Sequence, residues 1–212
     1  MDGMQSRSVA FAGVILAAGE SSRMGRDKAL LPWPPAANDT PSKDTILSAA
    51  IRSLSLTTDF VIVVAGKNEP ILAPIAYANG ASIAVNPDPG RGQFSSLKVG
   101  LREVLNHGRD ATIITLVDRP PAALSTIQTL HDAFTAAPAN VWAIVPEFAG
   151  KHGHPYVAGR EMIEVFLRTA TTGNAQDVLH LHEPHIQYIA VNDPNVTLNI
   201  NLPADYEALV QK

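Results

Sequence analysis

Short apolar runs and stretches of helical period alternate along this chain. The runs Phe11–Leu16, Phe60–Val64, Ser82–Val85, Ala111–Leu116, Val141–Val145 and His185–Val191 are rich in Val, Ile and Ala. Most are too continuously apolar to leave a face for solvent, so they read as strands of a sheet covered on both sides. Between them, helical spacing of apolar positions predicts helices over Lys43–Leu54, Pro70–Tyr77, Ser95–Leu105, Ser125–Phe134, Arg160–Leu167 and Pro203–Val210. Ser42, Ser95 or Ser96, and Ser125 stand where caps are expected, and Pro203 stands at a first helical position. Strands alternating with helices predict βαβ units, and hence an α/β fold of three layers: a mostly parallel, Rossmann-like sheet with helices on both faces. The Pro-rich stretch Pro32–Pro41 reads as a surface loop, because the alternation resumes after it. One domain over residues 1–212 is expected, with residues 1–9 a flexible N-terminus.

Composition narrows the chemistry. The chain has no cysteine among its 212 residues, which excludes disulfide frameworks, thiolate zinc sites, iron–sulfur ligation and thiol nucleophiles. Its net charge is -4, with 16 Lys and Arg dispersed along the chain. That argues against a nucleic-acid or anionic-membrane surface, since both need clustered cations. No apolar run approaches the roughly 18 residues needed to span a bilayer. The run Val9–Gly19 behind Arg7 has the outline of a short signal peptide. A buried first strand is the competing reading, and the residues that follow favour it because they carry chemistry.

Those residues, Leu16 to Pro32, spell LAAGESSRMGRDKALLP. Small residues at the carboxyl end of a first parallel strand sit where open α/β sheets bind ligands, and exposed backbone N–H groups there can cradle phosphate. Neither G-x-x-x-x-G-K-[ST] nor G-x-G-x-x-G fits the spacing. Arg23, Arg26 and Lys28 gather close to Gly19 and Gly25 in a chain that is otherwise acidic. The alternative is a solvated basic turn.

This string closely resembles the signature L-A-[AG]-G-x-S-x-R-M-G-x-x-K-x-L-L-P of the MobA-like nucleotidyltransferases, which include molybdenum-cofactor cytidylyltransferases and guanylyltransferases. The resemblance implies a fold of the nucleotide-diphospho-sugar transferase type. It implies that Leu16, Ala17, Ala18, Gly19 and Gly25 line a nucleoside triphosphate, and that Arg23 and Lys28 neutralise the charge that develops during transfer. Dense, preorganised positive charge is what such a displacement requires, since no covalent nucleophile is needed.

Further along, Leu116-Val117-Asp118-Arg119-Pro120 resembles the family's x-x-D-x-P, which implies that Asp118 is catalytic and binds Mg2+. An Asp opening a turn before Pro120-Pro121 is the alternative. Arg119 departs from the small or neutral residues common there, and either adds phosphate-binding charge or points outward. Asn86 to Leu97 resembles the loop in which residues matching Gly92, Ser95 and Ser96 help form the nucleotide pocket, although helix capping explains Ser95 equally well. The stretch Asn199-Ile200-Asn201-Leu202-Pro203-Ala204-Asp205-Tyr206 resembles the closing motif [ND]-x-[ND]-T-P-E-D-[LY]. It implies Asn201 at the metal and Asn199 towards the acceptor, each offering only a neutral amide oxygen. Gly153-His154-Pro155 matches a G-H-P element at the acceptor pocket, so His154 either touches acceptor phosphate or is structural. The region Thr172–Leu179 lacks the Arg of the family's Gly-Asp-x-Gly-Ala-Arg segment. His180-Leu181-His182 at the head of the last predicted strand allows a metal site, against the plainer reading of a polar loop entering an edge strand.

The expected activity is thus Mg2+-dependent transfer of a nucleoside monophosphate to a phosphorylated acceptor, with molybdopterin as the candidate, and release of pyrophosphate. Ala18 in LAAG rather than LAGG resembles the family's cytidylyl-transferring branch, which implies CTP over GTP as donor. Transfer to a sugar-1-phosphate, or nucleotide binding without turnover, are the alternatives. A cytoplasmic location without nucleic-acid or membrane partners is expected.

Overall fold

The computed structural model describes residues 9–21, 24–35 and 42–210. Arg23, most of the expected flexible N-terminus and residues 36–41 of the Pro-rich loop lie outside the described residues. The elements run β1 (Phe11–Leu16), α1 (Ile46–Ser55), β2 (Phe60–Ala65), α2 (Glu69–Ala78), β3 (Ser82–Val85), α3 (Gln93–Asn106) and β4 (Ala111–Leu116). They continue α4 (Leu124–Ala136), β5 (Ala143–Phe148), β6 (Lys151–His152), β7 (Tyr156–Gly159), α5 (Arg160–Arg168), α6 (Ala175–Leu181), β8 (Ile186–Ala190) and α7 (Pro203–Val210).

One sheet holds all these strands in the order β3-β2-β1-β4-β7-β5, with β8 on the far side of β5 and the short β6 extending the β7 side. Strands β3, β2, β1 and β4 are parallel. Strand β7 is antiparallel to both β4 and β5. Alternate residues of β1 serve two cores. Phe11 and Ile15 pack with α1, α2 and α4 on one face. Ala12, Val14 and Leu16 pack with α3, α5 and α6 on the other. Burial on both faces is why these strands read as continuous apolar runs. Helix α3 comes so close to the sheet at Gly100 that an added Cβ would lie 2.8 Å from Val14 Cγ1 and 2.9 Å from Val64 Cγ2. The apolar run that outlined a signal peptide is this central strand.

Three expectations about local structure change. Helix α1 starts at Ile46 under a Thr45–Ser48 capping box, while the Ser42 hydroxyl donates to the Trp33 carbonyl instead. Helix α4 starts one residue before Ser125 and has no side-chain cap of its own. Its start is held by Asp193, which accepts from the Ala123 amide at 2.8 Å and the Thr126 hydroxyl at 3.0 Å. A carboxylate far away in sequence thus takes the capping role. Sequence reading also leaves β6, β7 and α6 unmarked. Strand β7 is short and takes its register from β4 and β5, so nothing local announces it. Helix α6 is opened by Asn174, whose side chain accepts from the Asp177 amide at 2.8 Å.

Candidate active site

The order of strands reverses between β1 and β4, and Leu16 pairs with Leu116 there. A crevice outside the carboxyl ends of strands at such a switch point is where open α/β sheets bind ligands. Two loops leave the sheet at this point, one carrying the glycine loop and the other Asp118.

The glycine loop is bent and tied from several sides. Ser21 and Gly25 have positive φ, 48° and 71°, the left-handed region that favours glycine. Asn68 bonds the Ala17 carbonyl at 2.9 Å and Asp27 Oδ2 at 2.6 Å, joining the loop to the start of α2. Asp27 also caps a short 3-10 turn, Lys28–Leu30. That turn directs Lys28 inward, where only 9% of it is exposed. The Lys28 amide donates to the Ser21 hydroxyl at 3.2 Å.

The C-terminal segment closes over this loop. The Ile200 amide donates to the Asp118 carbonyl at 2.7 Å. Asp205 accepts from the amides of Asn201 and Leu202, which hold its carboxyl below the usual range. The Tyr206 hydroxyl donates to the Pro32 carbonyl at 2.6 Å. These bonds bring Asn201 Oδ1 within 3.4 Å of Lys28 Nζ.

The outcome is a cavity of about 160 Å3 whose lining includes Leu16, Gly19, Ser21, Lys28, Asp118 and Asn201. Lys28 and Asp118, both expected catalytic groups, and Asn201 therefore share one chamber. Asp118 Oδ1 is buried without a hydrogen-bond partner among the described residues. An orphaned carboxylate oxygen beside an amide oxygen suits a hard divalent cation, which takes one or two protein oxygens and completes its shell with phosphate and water. Among the described residues no group of three His, Asp or Glu side chains forms a metal site. The His180-Leu181-His182 segment is helical at its start, and His185 stacks on Trp142 at 3.7 Å.

Two further cavities adjoin the first. An inner pocket of about 230 Å3 lies between α3, the sheet and α6, and Gly92, Leu116, His154 and Tyr156 are among its lining. A wider cavity of about 740 Å3 includes Arg119, His152, His154, Tyr156 and Tyr188 in its wall. Gln93, the first residue of α3, borders all three. No motif pointed to it, since its importance lies in where the chambers meet.

Other expected site residues lie elsewhere. Ser95 and Ser96 are buried, and their hydroxyls accept from Asn86 Nδ2 at 2.8 and 2.9 Å. Ser95 Oγ also donates to the Gly92 carbonyl at 2.7 Å, so this pair shapes the loop before α3. Ala17 and Ala18 are buried beneath the glycine loop. Gly25 and Asn199 are exposed and line none of the three cavities. Arg26 lies over the Tyr206 ring, 5.8 Å from its centroid.

His154 is a neutral group. The residue is half-buried in the walls of the two larger cavities, and its Nδ1 is enclosed without a partner among the described residues. Burial, with a smaller contribution from Arg119, pulls its pKa from 6.5 down to about 3. In the unfolded chain the imidazole titrates normally. Between these two values the unfolded state therefore binds a proton that the folded state does not, and stability falls as pH drops below 6.5. At pH 5 the loss is about 1–2 kcal/mol. Urea unfolding of His154→Gln at pH 7 and pH 5 is expected to show that much less pH dependence than the parent. An unchanged difference between the two pH values would refute a neutral buried His154.

A lysine, an unpaired carboxylate and a loop of backbone amides converge at the switch point of a doubly wound sheet, the arrangement of an α/β phosphate-transfer protein. Residues 13–186 match the MobA-like NTP transferase domain, and the chain belongs to that family. It is a nucleotidyltransferase, and the curated relatives it resembles are named as molybdenum cofactor guanylyltransferases and a molybdenum cofactor cytidylyltransferase. Over 204 residues it is 28% identical to a probable molybdenum cofactor guanylyltransferase of Mycobacterium avium, covering 96% of this chain and 97% of the relative. Over 195 residues it is 25% identical to the molybdenum cofactor cytidylyltransferase of Escherichia coli, covering 91% and 92%. The crystal structure of Rv0371c from Mycobacterium tuberculosis H37Rv superposes with a TM-score of 0.79 at 27% identity, covering 97% of this chain and 100% of the other. No helix among the described residues is long and apolar enough to cross a membrane.

Proposed function

We propose that this protein transfers the cytidine monophosphate unit of CTP, in preference to the guanosine unit of GTP, to the phosphate of molybdopterin. The observation that carries this reading is the meeting of Lys28, Asp118 and Asn201 in the glycine-loop cavity, with a larger cavity beside it for an acceptor that carries a ring system. In the reaction an acceptor phosphate oxygen attacks the α-phosphorus and forms a new P–O bond. The bond from that phosphorus to the bridging oxygen breaks, and pyrophosphate leaves with the electron pair.

The residues divide this work. Backbone amides around Gly19 hold the triphosphate and orient its α-phosphorus for in-line attack. Lys28, fixed by its 3-10 turn, stabilises the negative charge that grows on the phosphate oxygens. Asp118 and Asn201 would hold Mg2+, which when bound draws charge from the phosphate oxygens and clamps their geometry. For the base, Ala18 in the LAAG string supports CTP through its resemblance to the family's cytidylyl-transferring branch. We place the protein in the cytoplasm, where CTP is available.

A thermal-shift series with CTP, GTP, ATP and UTP, each with and without Mg2+, tests the donor. A ligand at a hundred times its Kd adds about 2.7 kcal/mol of stability, or roughly 5–10 °C for a chain of this size. CTP with Mg2+ is expected to give the largest rise. Ala18→Gly, which turns LAAG into the LAGG form, is expected to lower the CTP-to-GTP preference. Pyrophosphate release in the presence of molybdopterin tests the acceptor. Failure of every triphosphate to stabilise the protein would refute the reading.

A further inference from the structure

We propose that Arg119 is the binding group for the acceptor's phosphate. The proposal rests on the function just given and names the residue that sets its acceptor class.

Asp118 and Arg119 are consecutive, yet they line different chambers. Asp118 faces the glycine-loop cavity and Arg119 faces the wide one. Among the described residues lining the wide cavity, Arg119 is the one Lys or Arg, while Asp177 and Glu183 also border it. A phosphorylated acceptor entering there therefore meets a single permanent cation. His154 supplies no second one at neutral pH, since burial lowers its pKa to about 3.

The guanidinium is held rather than free. Nη1 donates to the Val196 carbonyl at 3.2 Å and reaches the Leu198 carbonyl at 3.5 Å. Its Nε is buried with no hydrogen-bond partner among the described residues. The hydroxyl of Tyr156, a residue only 3% exposed, is likewise buried and unpartnered, and Tyr156 lines the same cavity. Buried donors that lack acceptors are costly unless a ligand supplies them. Phosphate offers several acceptor oxygens and the charge that suits an arginine fork. Carbonyl anchoring keeps the fork from rotating away, so little ordering remains when the phosphate arrives. The peptide link to Asp118 sets this phosphate next to the chamber of the α-phosphorus, with Gln93 at the border.

The test uses phenyl phosphate as probe, with the glycine-loop cavity saturated by α,β-methylene CTP and Mg2+ so that the probe cannot settle there. Calorimetric titration is expected to show saturable binding to the parent, at least tenfold weaker binding to Arg119→Gln and recovery to within about threefold in Arg119→Lys. In transfer assays the acceptor KM is expected to rise in Arg119→Gln while the KM for CTP stays within twofold. Should Arg119→Gln fail to fold, the parent alone decides: its Arg119 15Nε–1H signal, assigned against Arg119→Lys, is expected to shift with phenyl phosphate. No binding by the parent, equal binding by a folded Arg119→Gln, or an unmoved Arg119 signal would each overturn the proposal. If the CTP analogue fails to bind, the donor reading falls. Inorganic phosphate in the same titration and spectrum, with Lys28→Ala removing the competing cation, then still reads the Arg119 site.

Discussion

Lys28→Ala is expected to lower kcat/KM for nucleotidyl transfer by about 10²–10³, the usual cost of removing one preorganised donor aimed at developing charge. Lys28 is suited to show this cleanly. Its Nζ projects into the cavity towards Asn201, and the one bond it makes among the described residues is long at 3.4 Å. Truncation therefore empties part of the cavity wall without opening the core, and the melting temperature is expected to move by no more than a few degrees. Lys28→Arg keeps the charge but changes a compact ammonium into a planar fork, so partial recovery is expected. Asp118→Ala is expected to cost a similar factor and to abolish the gain in activity on adding Mg2+. Groups that act together are strongly non-additive; the double variant is expected to be only slightly worse than either single one. Steady-state pyrophosphate release measures all four proteins. Turnover that survives both single substitutions would rule out the proposed mechanism.

Gly153→Ala is expected to be the most damaging Gly→Ala change among the described residues. An ideal Cβ at residue 153 would fall 1.9 Å from the Val196 carbonyl oxygen and 2.5 Å from its carbon. These are backbone atoms and cannot rotate aside. The same carbonyl accepts from the His154 amide at 2.9 Å and from Arg119 Nη1, so moving it loosens the wall of the wide cavity. Overpacking of this kind costs about 3 kcal/mol or more, or roughly 6–12 °C in melting temperature for a chain of this size. The acceptor KM is expected to rise with it. Gly150→Ala is the control. Its φ is 73° and nothing lies within 4 Å of an added Cβ, so only the backbone strain of about 1 kcal/mol is expected. Equal melting temperatures for the two variants would show that the segment 194–197 yields freely to residue 153.

Much of the site could be read from residue order because its parts are local. The glycine loop follows directly on an apolar strand, and Lys28 lies in the same string as Gly19. Asp118 ends a second apolar strand. Each announces itself within a dozen residues. The acceptor side is different. Tyr156, Arg119 and His154 come from a short antiparallel strand, a loop after β4 and a turn, and they meet through β7 pairing with β4. No local pattern carries that pairing. Ser95 and Ser96 show the converse: a motif placed them at the nucleotide, while the fold commits their hydroxyls to Asn86.

The sequence by itself determined the alternation of strand and helix, the double-sided burial of the sheet and the position of the glycine loop that lines the cavity. These follow from hydrophobic period and from small residues at a strand end, which act over a few residues. Only the tertiary structure decided which charges face which chamber. The reversal of strand order between β1 and β4 sets Lys28 against Asp118, and the C-terminal segment brings Asn201 to both. The carbonyls of Val196 and Leu198 turn Arg119 inward, and burial keeps His154 neutral. Such choices depend on contacts between distant segments and on the solvent those contacts exclude.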